Sequence, residues 1–303
     1  MNTPTKIIIN ADDFGFSPRV NSAILRCAER GTITAASVMV NMPYAEEAFA
    51  QVQKRVPHLS LALHFTLTSG KPICPPEDVP MLVNAHGFFH LGFPNLLRYL
   101  ASNARQALLA QIAAELSAQL LLMEQLARKY QCRFDHLDSH QHVHAISDIW
   151  ELLHRESTLR CLPLRVPREH WGNFKRCYQR GWTWFPQGLL KQAILNRCLR
   201  NISQEIGYFG ILETGRMDTS ALSAIFQSVG QRAVWETYEI NTHPSALSEA
   251  DNEMTCCSEA DKQFHASSWR EREFQVLNDD DVIRWAQQYN ITFAGFRTLA
   301  TVR

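Results

Sequence analysis

One pattern constrains this chain more than any other: short runs rich in β-branched residues alternate with stretches of helical periodicity. Lys6 to Asn10 is such a run, and Ala11 to Phe16 reads as the loop that leaves it. Ser17 and Pro18 then supply an N-cap and a first-turn proline. Val20, Ala23, Ile24, Cys27 and Ala28 repeat at helical spacing until Gly31 closes the helix. Ala35 to Asn41 is a second buried strand, so the opening predicts a βαβ unit with a right-handed crossover. The alternation continues with a helix over Ala45 to Arg55, a strand over Leu59 to Phe65 and a proline-rich excursion over Gly70 to Gly92. A long amphipathic helix spans Leu108 to Ala127, followed by a strand at Phe134 to Asp138, a helix at Ser147 to Glu156 and a strand at Leu162 to Val166. Beyond these, helices are expected near 186–200, at Thr219 to Val229 and near 268–288, with strands at Trp235 to Asn241 and Thr292 to Phe296. Seven or eight strands interleaved with helices require a mostly parallel sheet, closed into a (β/α) barrel or open and doubly wound.

A chain of 303 residues buries enough surface to hold a core without staples. Its length fits two domains or one α/β barrel; the reading is a single domain over 1–303 with surface insertions near 70–105, 169–206 and 246–267. Lys+Arg and Asp+Glu balance at 30 each, so no basic surplus exists to displace counterions, and nucleic acid is excluded as a bulk electrostatic partner. No run approaches the ~18 consecutive apolar residues of a membrane span. The apolar N-terminal stretch runs straight into two aspartates, unlike a signal peptide. None of the cysteines forms a CxxC, which fits reduced thiols and a cytoplasmic location.

Three clusters fall just past the C-terminal ends of expected strands, the edge where parallel α/β enzymes place their chemistry. Asp12-Asp13-Phe14-Gly15 follows the first strand. Adjacent carboxylates repel, and one way to stabilise them is a cation on one while the other handles protons; a solvated loop or an acidic helix cap is the bland alternative. In Phe134-Asp-His-Leu-Asp-Ser-His-Gln-His-Val-His144, four histidines fall within nine residues. If the strand extends, His136, Asp138, His140, His142 and His144 share one face. Imidazole is the commonest metal ligand near neutral pH and needs a partner on its other nitrogen, which Asp138 or a spare histidine could supply. His64 ends an apolar strand, where a lone histidine is more often a satisfied core residue. One aspartate and two histidines together would make a three-ligand catalytic metal site with an open position. His243, held extended by Pro244 at the end of another strand, is a candidate general acid. Arg168 is a candidate partner to hold a free aspartate ionised. Trp171, Trp182, Trp184 and Phe185 form either a sugar or lipid platform or ordinary core.

The strings Ile9-Asn-Ala-Asp-Asp-Phe-Gly-Phe-Ser-Pro18, Leu63-His-Phe-Thr-Leu-Thr-Ser-Gly-Lys-Pro72, His136-Leu-Asp-Ser-His-Gln-His-Val-His144 and Thr242-His-Pro244 occur in order. Together they resemble the YdjC-like carbohydrate deacetylases, a family that includes chitooligosaccharide deacetylase. Gly70 to Pro80, with Thr34 to Val40, is more similar to the branch associated with hopanoid-lipid biosynthesis, whereas His136 to His144 is more similar to the chitooligosaccharide branch. The resemblance implies a single distorted (β/α) barrel that removes N-acetyl groups from an amino sugar with one divalent cation. It implies Asp13, His64 and His140 as metal ligands, Asp12 as general base and His243 as acid, and it is compatible with a homodimer. The family's metal is usually magnesium, whereas two imidazoles and a carboxylate suit zinc or a similar ion better. The competing expectations are a metal-dependent hydrolase of a phosphoester or cyclic amide, and an inactive carbohydrate-binding barrel.

Overall fold

The computed structural model describes residues 4–169, 185–247 and 259–299. β1 (Thr5–Phe14), α1 (Pro18–Glu29), β2 (Ala35–Val38), α2 (Ala45–Arg55) and β3 (Ser60–Phe65) form two successive βαβ units. α3 (Phe93–Leu100), α4 (Arg105–Lys129), β4 (Phe134–Ser139) and α5 (Ser147–Arg160) follow. The remainder comprises α6 (Phe185–Cys198), β5 (Gly207–Phe209), α7 (Thr219–Arg232), β6 (Thr237–Thr242), α8 (Glu259–His265), α9 (Ser268–Leu277), α10 (Asp281–Gln288) and β7 (Ile291–Phe293).

All the strand pairings are parallel, in the order β4-β3-β2-β1-β6-β5. β7 pairs with the first residues of β1, and β2 pairs with its last ones. The sheet is a curled half-barrel, and among the described residues no pairing joins β4 to β5. The expected strand at Leu162 to Val166 contracts to one parallel bridge, Leu164 against Leu137, on the outer side of β4. β3 and β6 end close to their expected limits, and α2 matches its own. The loop expected at Ala11 instead continues β1 to Phe14, because the strand carries a bulge between Ala11 and Phe14.

The sequence explains the packing. Ser17 Oγ accepts the Val20 amide as the α1 cap, and Val20, Ala23, Ile24, Cys27 and Ala28 are buried along one stripe. Ile7, Ile9, Leu61 and Leu63 are likewise buried in the core, each worth roughly 1.5–3 kcal/mol relative to exposure. α4 is the one helix among the described residues long and apolar enough to cross a membrane by length and composition. Its Leu108, Ile112, Leu116, Leu120 and Met123 face the core, and it packs on α2, α3, α5, β3 and β4. Glu115 and Gln119, fully buried on that same helix, grip the chain after β3: Glu115 accepts the Ile73 and Cys74 amides, and Gln119 exchanges hydrogen bonds with the Thr66 backbone.

Candidate metal and catalytic site

Parallel strands bring their C-terminal ends to one edge, and the site is built there. The β1 bulge puts Asp13 at φ 67°, in the left-handed region that aspartate tolerates better than most residues. The extra residue breaks the strict alternation of faces, so adjacent Asp12 and Asp13 both turn into the site. Gly15, at φ 92°, is obligatory in the turn that follows: a Cβ there would lie 2.8 Å from the Ala45 Cα.

β3 and β4 register His64 directly against Asp138. His64 Nδ1 donates to Asp138 Oδ1 at 2.7 Å, which leaves the Nε2 lone pair facing Asp13 Oδ1 at 3.6 Å and Asp12 Oδ2 at 3.8 Å. His140 Nδ1 lies 3.2 Å from the same Asp13 Oδ1. Asp13, His64 and His140 therefore aim one ligand atom each at a shared point, all within 4.8 Å of one another. Ligands at about 2.1 Å from a tetrahedral ion stand roughly 3.4 Å apart, so the donor spacing fits a small divalent cation.

Asp12 is attached differently. Its Oδ1 accepts from Asn10 Nδ2 at 2.9 Å and Arg165 Nη2 at 3.0 Å; its Oδ2 accepts from Arg165 Nη1 at 3.1 Å. Oδ2 also faces His243 Nε2 at 3.9 Å. Arg165, buried, simultaneously reaches Asp138 Oδ2 and Glu239 Oε1, each at 2.7 Å. Sequence reasoning assigned that pairing to Arg168, and the structure corrects it. Arg168 instead binds Gln204 Oε1 and the Leu199 and Ile202 carbonyls. The Leu164 bridge fixes the frame: Arg165 is its next residue and turns inward, while Arg168 lies beyond it.

The histidine run does not extend as a strand. β4 stops at Ser139, and His140 to Ala145 form a tight 3₁₀ segment with Gln141 and His142 left-handed at φ 53° and 56°. One shared face is thus replaced by four separate tasks. His140 enters the metal cluster. His136 donates to Asn10 Oδ1 at 3.3 Å and stacks on Phe296. His144 binds Ser139 and the Arg165 carbonyl, fixing the arginine's backbone. His142 packs edge-on to Tyr208. The tryptophans at 171, 182 and 184, and the Phe185 side chain, lie outside the described residues.

Three groups were not legible from the sequence. Arg270 Nη1 donates to Asp13 Oδ2 at 3.0 Å and to His265 Nδ1 at 2.7 Å. His265 stacks on Phe16, with its Nε2 at 3.9 Å from Asp13 Oδ2. Asp261 Oδ1 lies 3.8 Å from His140 Nε2. The one available signal is that Arg270, Glu273, Phe274 and Leu277 repeat at helical spacing on the buried face of α9, where charges demand partners.

Negative charge dominates. Among the described residues, Asp12, Asp13, Asp138 and Glu239 are paired with the Arg165 and Arg270 guanidiniums. Burial works to raise Asp13, but His140, Arg270 and His265 outweigh it and hold the carboxyl well below its usual range. Burial pushes Glu239 up to about 7, with Arg165 opposing and Asp138 and Asp12 adding. Burial disfavours His140 as a cation, yet hydrogen bonds to Asp13 and Asp261 raise it to about 9. The surroundings of that imidazole thus favour positive charge at the point where the three donor atoms converge. His243 is lowered to about 4, chiefly by burial, with Asp12 and Asp13 opposing.

The fold and site define a parallel α/β half-barrel with a histidine–carboxylate cluster at the C-terminal edge of its strands. Within that class, the profile of the YdjC-like protein family matches residues 6–288, and the chain belongs to this family. A carbohydrate deacetylase of Thermoanaerobacter pseudethanolicus is 29% identical over 97% of this chain and 98% of its own. A chitooligosaccharide deacetylase of Proteus mirabilis is 35% identical over 54% of this chain and 59% of its own. A solved structure from Enterococcus faecalis V583, named for cellobiose-phosphate cleavage, superposes with a TM-score of 0.71. That pair covers 99% of this chain and 100% of the other at 24% identity, a likeness of fold.

Proposed function

We propose that this chain is a metal-dependent carbohydrate N-deacetylase that releases acetate from an N-acetylated amino sugar, as a chito-oligosaccharide or a lipid-linked N-acetylglucosamine. The convergence of Asp13 Oδ1, His64 Nε2 and His140 Nδ1 beside Asp12 carries this reading, and relatives named carbohydrate and chitooligosaccharide deacetylases support it. Asp13, His64 and His140 would hold one divalent cation, with Asp138 orienting His64 from behind. A cation held there supplies Lewis acidity to the acetamide carbonyl and acidity to an attacking water. The donor set suits zinc or a similar ion better than magnesium.

Asp12 is the general base. Arg165 and Asn10 fix its plane, and the remaining Oδ2 lone pair faces the cluster. His243 is the proton donor to the departing amine. Burial keeps its imidazole neutral at rest, so the proton it delivers is the one Asp12 takes from water; Oδ2 and Nε2 stand 3.9 Å apart, a span that one bridging water closes.

The test is product analysis on N-acetylated chito-oligosaccharides. Acetate and free amine should appear in equal amounts. Phosphate release from a phosphoester without acetate would replace this reading with another hydrolase, and sugar binding without turnover would reduce the chain to a binding barrel.

A further inference from the structure

α9 approaches the site from outside the sheet and touches it twice. One turn apart on its buried face, Arg270 and Glu273 reach different members of the cluster. Arg270 Nη1 donates to Asp13 Oδ2, the oxygen turned away from His64 and His140. Glu273 Oε2 accepts the His243 amide at 2.6 Å, and its Oε1 accepts the Met217 amide at 3.0 Å. The helix is itself tied to the β6 exit, where the Ser245 amide donates to the Arg270 carbonyl. Both charged side chains are fully buried, an expensive placement that apolar residues at those positions would avoid. Arg270 Nε and Nη2 find no hydrogen-bond partner among the described residues, so its position follows the Asp13 contact and the His265 contact rather than a saturated network.

Resting on the deacetylase reading, we infer that Arg270 and Glu273 are positioning residues that set two catalytic functions separately from one helix. Arg270 occupies Asp13 Oδ2 and leaves Oδ1 as the single oxygen offered to a cation. It also anchors the second oxygen of a carboxylate whose first lies against His140, on a backbone that is left-handed. Glu273 pins the backbone of His243, and so fixes where the imidazole stands relative to Asp12 without touching any ligand.

The two contacts predict different losses. Zn²⁺ and Mg²⁺ are each titrated into the chelated full chain, and acetate release is measured in parallel. Arg270→Gln should weaken binding of the tighter cation 10–100-fold, the usual loss when a ligand's outer partner is removed. Arg270→Lys, which keeps the charge and one donor, should recover part of it. Glu273→Gln should leave cation affinity within about twofold while kcat falls roughly tenfold at unchanged KM. Unchanged affinity in a folded Arg270→Gln would overturn the inference, as would equal metal losses in both variants, which would mean α9 acts only as scaffold. If Arg270→Gln does not fold, Arg270→Lys is read alone: a measurable weakening upholds the Arg270 role and unaltered affinity refutes it. A wild-type chain that binds neither cation overturns the deacetylase reading itself.

Discussion

Asp12 and Asp13 are chain neighbours with opposite attachments. Asp13 shares Oδ1 with two imidazoles and gives Oδ2 to Arg270; Asp12 is forked by Arg165 and keeps one lone pair. Asp12→Asn should therefore retain cation affinity within about threefold and lose turnover by roughly 10²–10⁴-fold, the range of a general base. Comparing metal titration with acetate release checks this, and substantial residual turnover would remove Asp12 from the role. Arg165→Lys keeps the charge but loses the fork, so kcat should fall about 10–100-fold, whereas Arg168→Lys should stay near wild type because it binds Gln204 and backbone carbonyls. Asp12, Asp13, His64, His140 and His243 stood out in the sequence because each lies at or just past the end of a recognisable strand. Arg165 was missed by three residues because an extended segment leaves no periodicity to show which arginine turns inward. Arg270, His265 and Asp261 were missed because they arrive on helices, from a part of the chain where no strand marks the catalytic edge.

At the scale of elements, strands ending at one edge need only correct lengths, and these were legible wherever an apolar run met a cap or a proline, as at Ser17-Pro18. Reading failed where tertiary contact overrides local pattern. The β1 bulge resembles a loop until β2 pairs on both sides of it, at Ala11 and at Phe14. The three-residue β5 is too short to signal itself, and the histidine run bends where Ser139, the last residue of β4, accepts the His144 amide on its hydroxyl. The anchor between α4 and the chain after β3 gives a prediction at this scale. Glu115→Ala leaves two half-buried amides, Ile73 and Cys74, without their acceptor. At about 1–3 kcal/mol per orphaned group, Tm should fall by roughly 5–10 °C. Cation affinity should barely change; calorimetry with metal titration checks both, and an unaltered Tm would show the anchor to be dispensable.

For the whole molecule, the buried histidines make stability depend on pH. Burial lowers His136 to about 3 and His144 to about 4, against 6.5 when exposed; Asp138 opposes in both cases. Between those values these two rings bind fewer protons in the folded chain than in the unfolded one, so their contribution to stability is complete above about pH 6.5 and declines as pH falls. Two such groups contribute up to about 2.7 kcal/mol per pH unit between roughly pH 6 and 4. Urea midpoints at pH 7, 6 and 5 should step downward, and a flat series would contradict the neutral burial of these rings. In the proposed mechanism Asp13, His64 and His140 hold one divalent cation on which acetate release depends. The direct measurement is acetate release by the chelated chain as zinc is returned in substoichiometric steps. Activity should start near zero, rise linearly and break at one ion per chain; acetate release that survives chelation, or that ignores the added ion, would contradict it.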